Sequence, residues 1–296
     1  MIPCALHVYP GYELPGKALA AALGCPSYPV HIHKFPDGES LVKVENGAQV
    51  TFLYASLDHP NDKLINLIFA AQALRENGAE RIVLVCPYLC YMRQDKAFHV
   101  GEAVSQLVIG KLLSVYFDRI VTVDPHLHRV LSLDAIFPRL ETDVLSATGL
   151  IAEAILVDTD MKGAYLIGPD GESGQWVGAI AKKTGHSMLL AEKVRSGDRD
   201  VKITLSGIEQ VQGHPAIIID DMISSGTTVR HCTELLVHAG ACRIEVIAVH
   251  ALCQAEDLSR MYAAGIARVR SSDSVLHRTN SISLARLLAD ALIKEF

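Results

Sequence analysis

Short runs of β-branched and aliphatic residues alternate with longer amphipathic stretches along almost the whole chain, and no other feature narrows the possible folds so far. Runs such as FLY, IVLV, AIII and VIAV are continuously apolar, which is the pattern of strands covered on both faces. Between VTFLYAS and RIVLVCPY, residues Leu64, Leu67, Ile68, Ala71 and Leu74 recur at helical spacing, and Gly78 stands where such a helix would end. Strand, helix and strand in repeated succession predict an α/β protein built on mostly parallel sheets.

A chain of 296 residues is long enough for about two domains. In the first half the expected strands are ALHVY, VHIHKF, VTFLYAS, RIVLVCPY and RIVTVD. In the second they are AYLIGPD, SMLLAEKV, AIIIDDM, RIEVIAVHAL and a short one near RVRSSDSV. The segment Pro138 to Asp143 reads as irregular and TGLIAEAIL as a helix opening a second unit, so domains of residues 1–145 and 146–296 are expected.

The formal net charge of -6 excludes a broad nucleic-acid footprint, which needs a basic face. No apolar run reaches the roughly 18 residues that cross a bilayer, and the N-terminus lacks a basic stretch followed by an apolar one. A soluble, cytoplasmic protein without membrane or nucleic-acid partners is expected. The seven cysteines fall mostly in apolar runs and read as reduced core thiols; Cys86 and Cys90 have no second pair at zinc-site spacing.

The most informative segment is AIIIDDMISSGTTVRHCTELLVHAG. A buried strand ends in Asp220 and Asp221, followed by Ser224, Ser225, Gly226, Thr227 and Thr228, and then by a helical face of Val229, Cys232, Leu235, Leu236 and Ala239. Strand, small hydroxylated loop and helix N-terminus make an anion cradle. The two acids can accept from vicinal sugar hydroxyls or help hold a divalent metal. A phosphorylated pentose fits both features.

Other short motifs lie next to expected strands. In FPDGES, Phe35 offers a stacking face, Asp37 and Glu39 can accept from an amine, and Gly38 permits the turn, although a PDG alone is an ordinary turn. Arg93 in RQDK offers a guanidinium fork for phosphate, with Gln94 and Asp95 as polar neighbours. RIVTVDPHLH ends a strand at Asp124, with His126 two residues on and His128 after it; an imidazole there suits a phosphate or a metal softer than magnesium. Asp170 follows AYLIG, ahead of Glu172 and a helix. Lys193 and Arg195 stand on alternate residues of an extended segment, where they form either a converging cation pair or a charged hairpin tip.

Taken in order, these elements resemble those of the ribose-phosphate pyrophosphokinases, with the phosphate loop closest to the family's archaeal-like branch, and RTNSI at Arg278 to Ile282 extends the resemblance over nearly the whole chain. Ser224 stands where Asp is commoner in that loop, and Thr227 where Gly is.

The resemblance implies two tandem type I phosphoribosyltransferase-like domains, the first carrying ATP-binding elements, the second the ribose 5-phosphate and pyrophosphate loops. It implies transfer of the diphosphate of ATP to the anomeric hydroxyl of ribose 5-phosphate, giving 5-phosphoribosyl 1-pyrophosphate (PRPP) and AMP. The alternatives are a non-catalytic PRPP synthetase-associated regulatory protein and a phosphoribosyltransferase. Phe35, Asp37, Glu39, Arg93, Gln94, Asp95 and His126 are then expected to bind ATP, and His126 with Asp170 to bind Mg2+. Asp220, Asp221 and residues Ser224 to Thr228 are expected to bind ribose 5-phosphate, with Lys193 and Arg195 acting on the transition state. The resemblance further implies a homodimer or higher homo-oligomer, because in the family the adenine segment reaches a neighbouring subunit's site.

Overall fold

The computed structural model describes residues 3–127, 132–195 and 201–295, with 193–195 and 201–203 described by their backbone. The chain forms two compact units. One contains Met1–Ser146, Ser274–Leu276 and Leu284–Phe296; the other contains Ala147–Asp273 and His277–Ser283.

The first unit runs β1 (Cys4–Val8), α1 (Glu13–Leu23), β2 (Ser27–Pro29), β3 (His31–Lys34), β4 (Ser40–Lys43), β5 (Val50–Tyr54), α2 (Asn61–Glu76), β6 (Arg81–Val85), α3 (Ser105–Tyr116), β7 (Arg119–Val123) and β8 (Glu141–Leu145). Six of the strands form one parallel sheet in the order β2-β1-β5-β6-β7-β8. Every residue of β5 is buried, as its continuous apolar run and central place require. Helix α2 buries Leu64, Leu67, Ile68, Ala71 and Leu74, the face its spacing predicts. The strand order reverses between β1 and β5. Such a reversal in an open α/β sheet opens a crevice at the C-terminal strand ends.

VHIHKF forms the expected strand over His31–Lys34, which pairs antiparallel with β4 in a separate hairpin. One expectation for this half is corrected. Residues 138–143 are not wholly irregular, because Glu141 to Asp143 begin the edge strand β8, paired with β7. β8 lacks an apolar run because its middle residue is Asp143, which bonds the buried Arg119 at 2.7 Å.

The second unit runs α4 (Thr148–Leu156), β9 (Tyr165–Gly168), α5 (Gly174–Thr184), β10 (Met188–Arg195), β11 (Val201–Leu205), β12 (Pro215–Ile223), α6 (Thr227–His238), β13 (Arg243–Ala251), α7 (Ala255–Ala263), β14 (Arg268–Ser272) and β15 (Asn280–Ile282). Its seven strands lie in the order β11-β10-β9-β12-β13-β14-β15, and only β11 runs antiparallel to its neighbour. Ile167, Ile218, Val246, Leu236 and Met261 belong to its core. Here the order reverses between β9 and β12.

The expected second domain, 146–296, is corrected at its end. The final helix, α8 (Ala285–Leu292), belongs to the first unit, where it packs on α1 and where Glu295 bonds Arg81 and Arg119. Among the described residues no helix is long and apolar enough to cross a membrane.

Candidate active site

In the second unit the strand reversal brings the ends of β9 and β12 side by side, and the carboxylates follow from it. Asp170 lies two residues past β9 and caps the next turn: one of its oxygens accepts from the N–H groups of Glu172 at 3.2 Å and Ser173 at 3.1 Å, while the Ser173 hydroxyl donates back to the Asp170 carbonyl at 2.6 Å. The turn therefore uses the backbone of Glu172, and its side chain stays exposed. Asp220 and Asp221 are half-buried near the end of β12. Burial first, then the charges of Asp221 and Asp170, push the Asp220 carboxyl well above the usual carboxylate range.

Beyond β12, Ser224 and Ser225 are exposed and Gly226 turns the chain into α6. Gly226 sits in the left-handed region at φ +67°, and a Cβ there would come within 2.7 Å of the Met261 sulfur, so the position requires glycine. No side chain caps α6. Its first N–H groups and positive dipole end are thus presented to the loop, beside the hydroxyls of Ser225 and Thr227, which lie 3.0 Å apart. Asp170, Asp220, Asp221 and residues 224–228 share one edge of this sheet.

Lys193 and Arg195 belong to the hairpin of β10 and β11, at register positions opposite Ile203 and Val201. Both residues stand on alternate positions of β10.

In the first unit the residues fall into two groups. FPDGES is the tip of the β3–β4 hairpin: Phe35 N–H donates to the Glu39 carbonyl at 2.8 Å, and Glu39 N–H donates to Asp37 at 3.1 Å. Phe35, Asp37 and Glu39 are exposed, and the Phe35 ring meets His33 edge to face at 4.8 Å. Arg93, Gln94, Asp95 and His126 stand instead at the C-terminal edge of the sheet, on loops after β6 and β7. Those loops are tied by a bond from Val123 N–H to the Pro87 carbonyl at 3.2 Å. Arg93 is exposed; Asp95 and His126 are half-buried. The Gln94 side chain is engaged by its own protein, accepting from Ser105 N–H at the start of α3 and donating to the Lys96 carbonyl at 3.2 Å. His128 lies outside the described residues.

Three non-glycine residues with positive φ follow successive strands at this edge: His59 (+48°), Tyr91 (+62°) and Asp124 (+37°). Such conformations are strained and concentrate at functional sites. The sequence reading missed His59 and Tyr91. It also missed the cluster of Tyr12, Ser56, Asp58 and Lys63 between them, because the cluster draws on three elements and only the strand order shows that they meet.

Among the described residues no three His, Cys, Asp or Glu side chains are grouped to hold a metal on their own. Mg2+ does not need such a cage: it takes one or two carboxylates and completes its shell with water and substrate phosphates. Burial and, after it, the charges of Asp221 and Asp170 raise Asp220, and a divalent cation at that edge would offset those charges, so the acidic cluster fits one.

Residues 13–116 match the family model of the N-terminal domain of ribose phosphate pyrophosphokinase, and residues 145–275 that of the phosphoribosyl transferase domain. The chain is 33% identical over 278 residues to a ribose-phosphate pyrophosphokinase of Methanothermobacter thermautotrophicus, covering 93% of this chain and 95% of the relative. It is 33% identical over 290 residues to ribose-phosphate pyrophosphokinase 2 of Archaeoglobus fulgidus, covering 98% of each. The fold matches the crystal structure of phosphoribosylpyrophosphate synthetase from Mycobacterium smegmatis with a TM-score of 0.83, at 22% identity over 99% of both chains.

Proposed function

The chain belongs to the ribose-phosphate pyrophosphokinase family, and on that premise we propose how its residues divide the transfer of the ATP diphosphate to the anomeric hydroxyl of ribose 5-phosphate. The products are PRPP and AMP. The observation that carries the assignment is the edge of the second unit, where three acids stand beside an uncapped helix N-terminus.

Ser224, Ser225, Gly226, Thr227 and Thr228 hold the 5-phosphate, through N–H groups of α6 and hydroxyl donors. Asp220 and Asp221 accept from the sugar hydroxyls and orient the anomeric oxygen. In the first unit, Arg93 and Asp95 meet the nucleotide, with Gln94 holding their loop against α3, and Phe35, Asp37 and Glu39 receive the adenine. Asp170, on the acidic edge of the second unit, would be a ligand for Mg2+, and His126 is the corresponding metal or phosphate group of the first unit; Mg2+ when bound neutralises charge on the diphosphate. Lys193 and Arg195 stabilise the charge that develops as the diphosphate moves. Phosphoryl chemistry of this kind depends on positioning and charge more than on covalent help from the protein.

Phe35 is exposed at a hairpin tip, which supports the reading that it serves a neighbouring copy and that the enzyme works as a homodimer or larger assembly. The products' use in nucleotide synthesis supports a cytoplasmic location. Incubation with ATP, Mg2+ and ribose 5-phosphate tests the proposal. The wild type should make PRPP, and Asp221→Asn should raise KM for ribose 5-phosphate more than KM for ATP; equal changes in both would remove Asp221 from the sugar.

A further inference from the structure

The crevice that strand reversal creates in the first unit lies past β1 and β5, and residues that follow those strands form an ion pair with α2. The Lys63 ammonium donates to the Tyr12 hydroxyl at 2.7 Å, to Asp58 at 2.7 Å and to the Ser56 carbonyl at 3.0 Å. Three donors thus have three acceptors, and the ammonium also stands 4.9 Å over the Tyr12 ring. The Tyr12 hydroxyl bonds Asp58 and reaches the Ser56 carbonyl at 3.2 Å. Lys63 and Asp58 are each only 15% exposed.

A buried ion pair adds little stability over apolar side chains of the same size; what it adds is direction. Two of these groups, the Lys63 ammonium and the Tyr12 hydroxyl, bond the carbonyl of Ser56, which is wholly buried. The Ser56 hydroxyl accepts from Tyr88 N–H at 3.0 Å and donates to the Ser274 carbonyl, while Leu57 N–H donates to the Tyr88 carbonyl at 2.9 Å. Tyr88 is therefore gripped at both backbone groups. Further along the same loop, Tyr91 is left-handed and bonds Asn61, and Gln94 holds Ser105. Arg93 sits between these fixed points.

We propose that Ser56, held by Lys63, Asp58 and Tyr12, is a positioning residue for ATP, fixing the loop that presents Arg93. This rests on the assignment of Arg93 to the ATP phosphates. Ser56 touches no substrate itself; its hydroxyl sets where the Arg93 guanidinium stands before ATP arrives. Loss of that hydroxyl takes from the part-buried Tyr88 N–H the acceptor it has here and lets the loop shift.

The test is steady-state kinetics of Ser56→Ala, Lys63→Met and Lys63→Arg with both substrates varied, beside Arg93→Ala as reference. Ser56→Ala should raise KM for ATP about tenfold, the order of effect of one lost hydrogen bond that fixes the loop. Its KM for ribose 5-phosphate should stay unchanged. Lys63→Met should shift KM for ATP in the same direction, and Lys63→Arg should restore most of it. Should Ser56→Ala fail to fold, the two Lys63 variants decide alone. A lower melting temperature with both KM values unchanged, or a rise in both alike, would overturn the proposal and leave Ser56 a packing residue. If Arg93→Ala leaves KM for ATP unchanged, the assignment of Arg93 fails first; if only Arg93→Ala moves it, the assignment stands and Ser56 is not a positioning residue.

Discussion

The guanidinium of Arg119, wholly buried at the head of β7, donates to the carboxylate of Glu295 at 2.7 Å. The last turn of the chain thereby closes the core of the unit in which the chain began. Arg119 also donates to the Ala291 carbonyl at 3.0 Å, and Glu295 accepts from Arg81 at 2.6 Å.

Glu295→Ala is expected to destabilise the first unit by about 1 to 2 kcal/mol, because Arg119 keeps Asp143 and Arg81 keeps Glu141, and each loses one of its two carboxylate partners. A lower urea midpoint at unchanged slope is the measurement. The pH dependence follows from the same groups. Desolvation raises the carboxyls of Glu295 and Asp143, but their bonds to Arg81, Arg119 and Lys294 outweigh it and hold both below their ordinary values. Their contribution is present above the unfolded carboxyl range and lost as pH falls through the folded values. Burial lowers His7 to about 4, so the unfolded chain binds more protons from about pH 6.5 downward. The His7 contribution should decline below that pH and the carboxylate contributions should follow as they titrate; Glu295→Ala should lose part of that last fall.

Much of the fold was legible because its strands are buried on both faces. VTFLY and AIII read as strands wherever they occur, and Leu64 to Leu74 read as a helix. Residues 138–143 did not read as a strand because β8 lies at the sheet edge, and its Asp143 answers a buried arginine distant in sequence. The placement of α8 was equally hidden, since its partners are fixed by charges at Arg81 and Arg119 and not by local pattern. At the candidate site, the loop of Ser224 to Thr228 was legible as strand, turn and helix start. The grip of Ser56 on Tyr88 was not, because it depends on which strands become neighbours.

Asp220→Asn should stabilise the protein in metal-free buffer, since it removes a charge that burial and two neighbouring carboxylates oppose. A rise in melting temperature of roughly 2 °C is expected if the gain is about 1 kcal/mol. The same variant should lose PRPP synthesis by at least about tenfold if Asp220 orients the sugar. A variant that is more stable and fully active would separate the acid from the chemistry.

Lys193→Ala and Arg195→Ala should each lower kcat by about a hundredfold or more while ATP affinity, measured by equilibrium dialysis, stays nearly unchanged. Equal losses in affinity and rate would make them substrate-binding groups instead.

If the hairpin tip serves a neighbouring copy, light scattering on the active enzyme should give at least twice the mass of one chain, and Phe35→Ala should raise KM for ATP. A fully active monomer would contradict the shared site.

The most direct measurement follows the label from ATP carrying 32P at its β-phosphorus, incubated with Mg2+ and ribose 5-phosphate. The label should appear in PRPP, with one unlabelled AMP formed for each PRPP. Label retained in ADP, or AMP formed without labelled PRPP, would contradict diphosphate transfer by this chain.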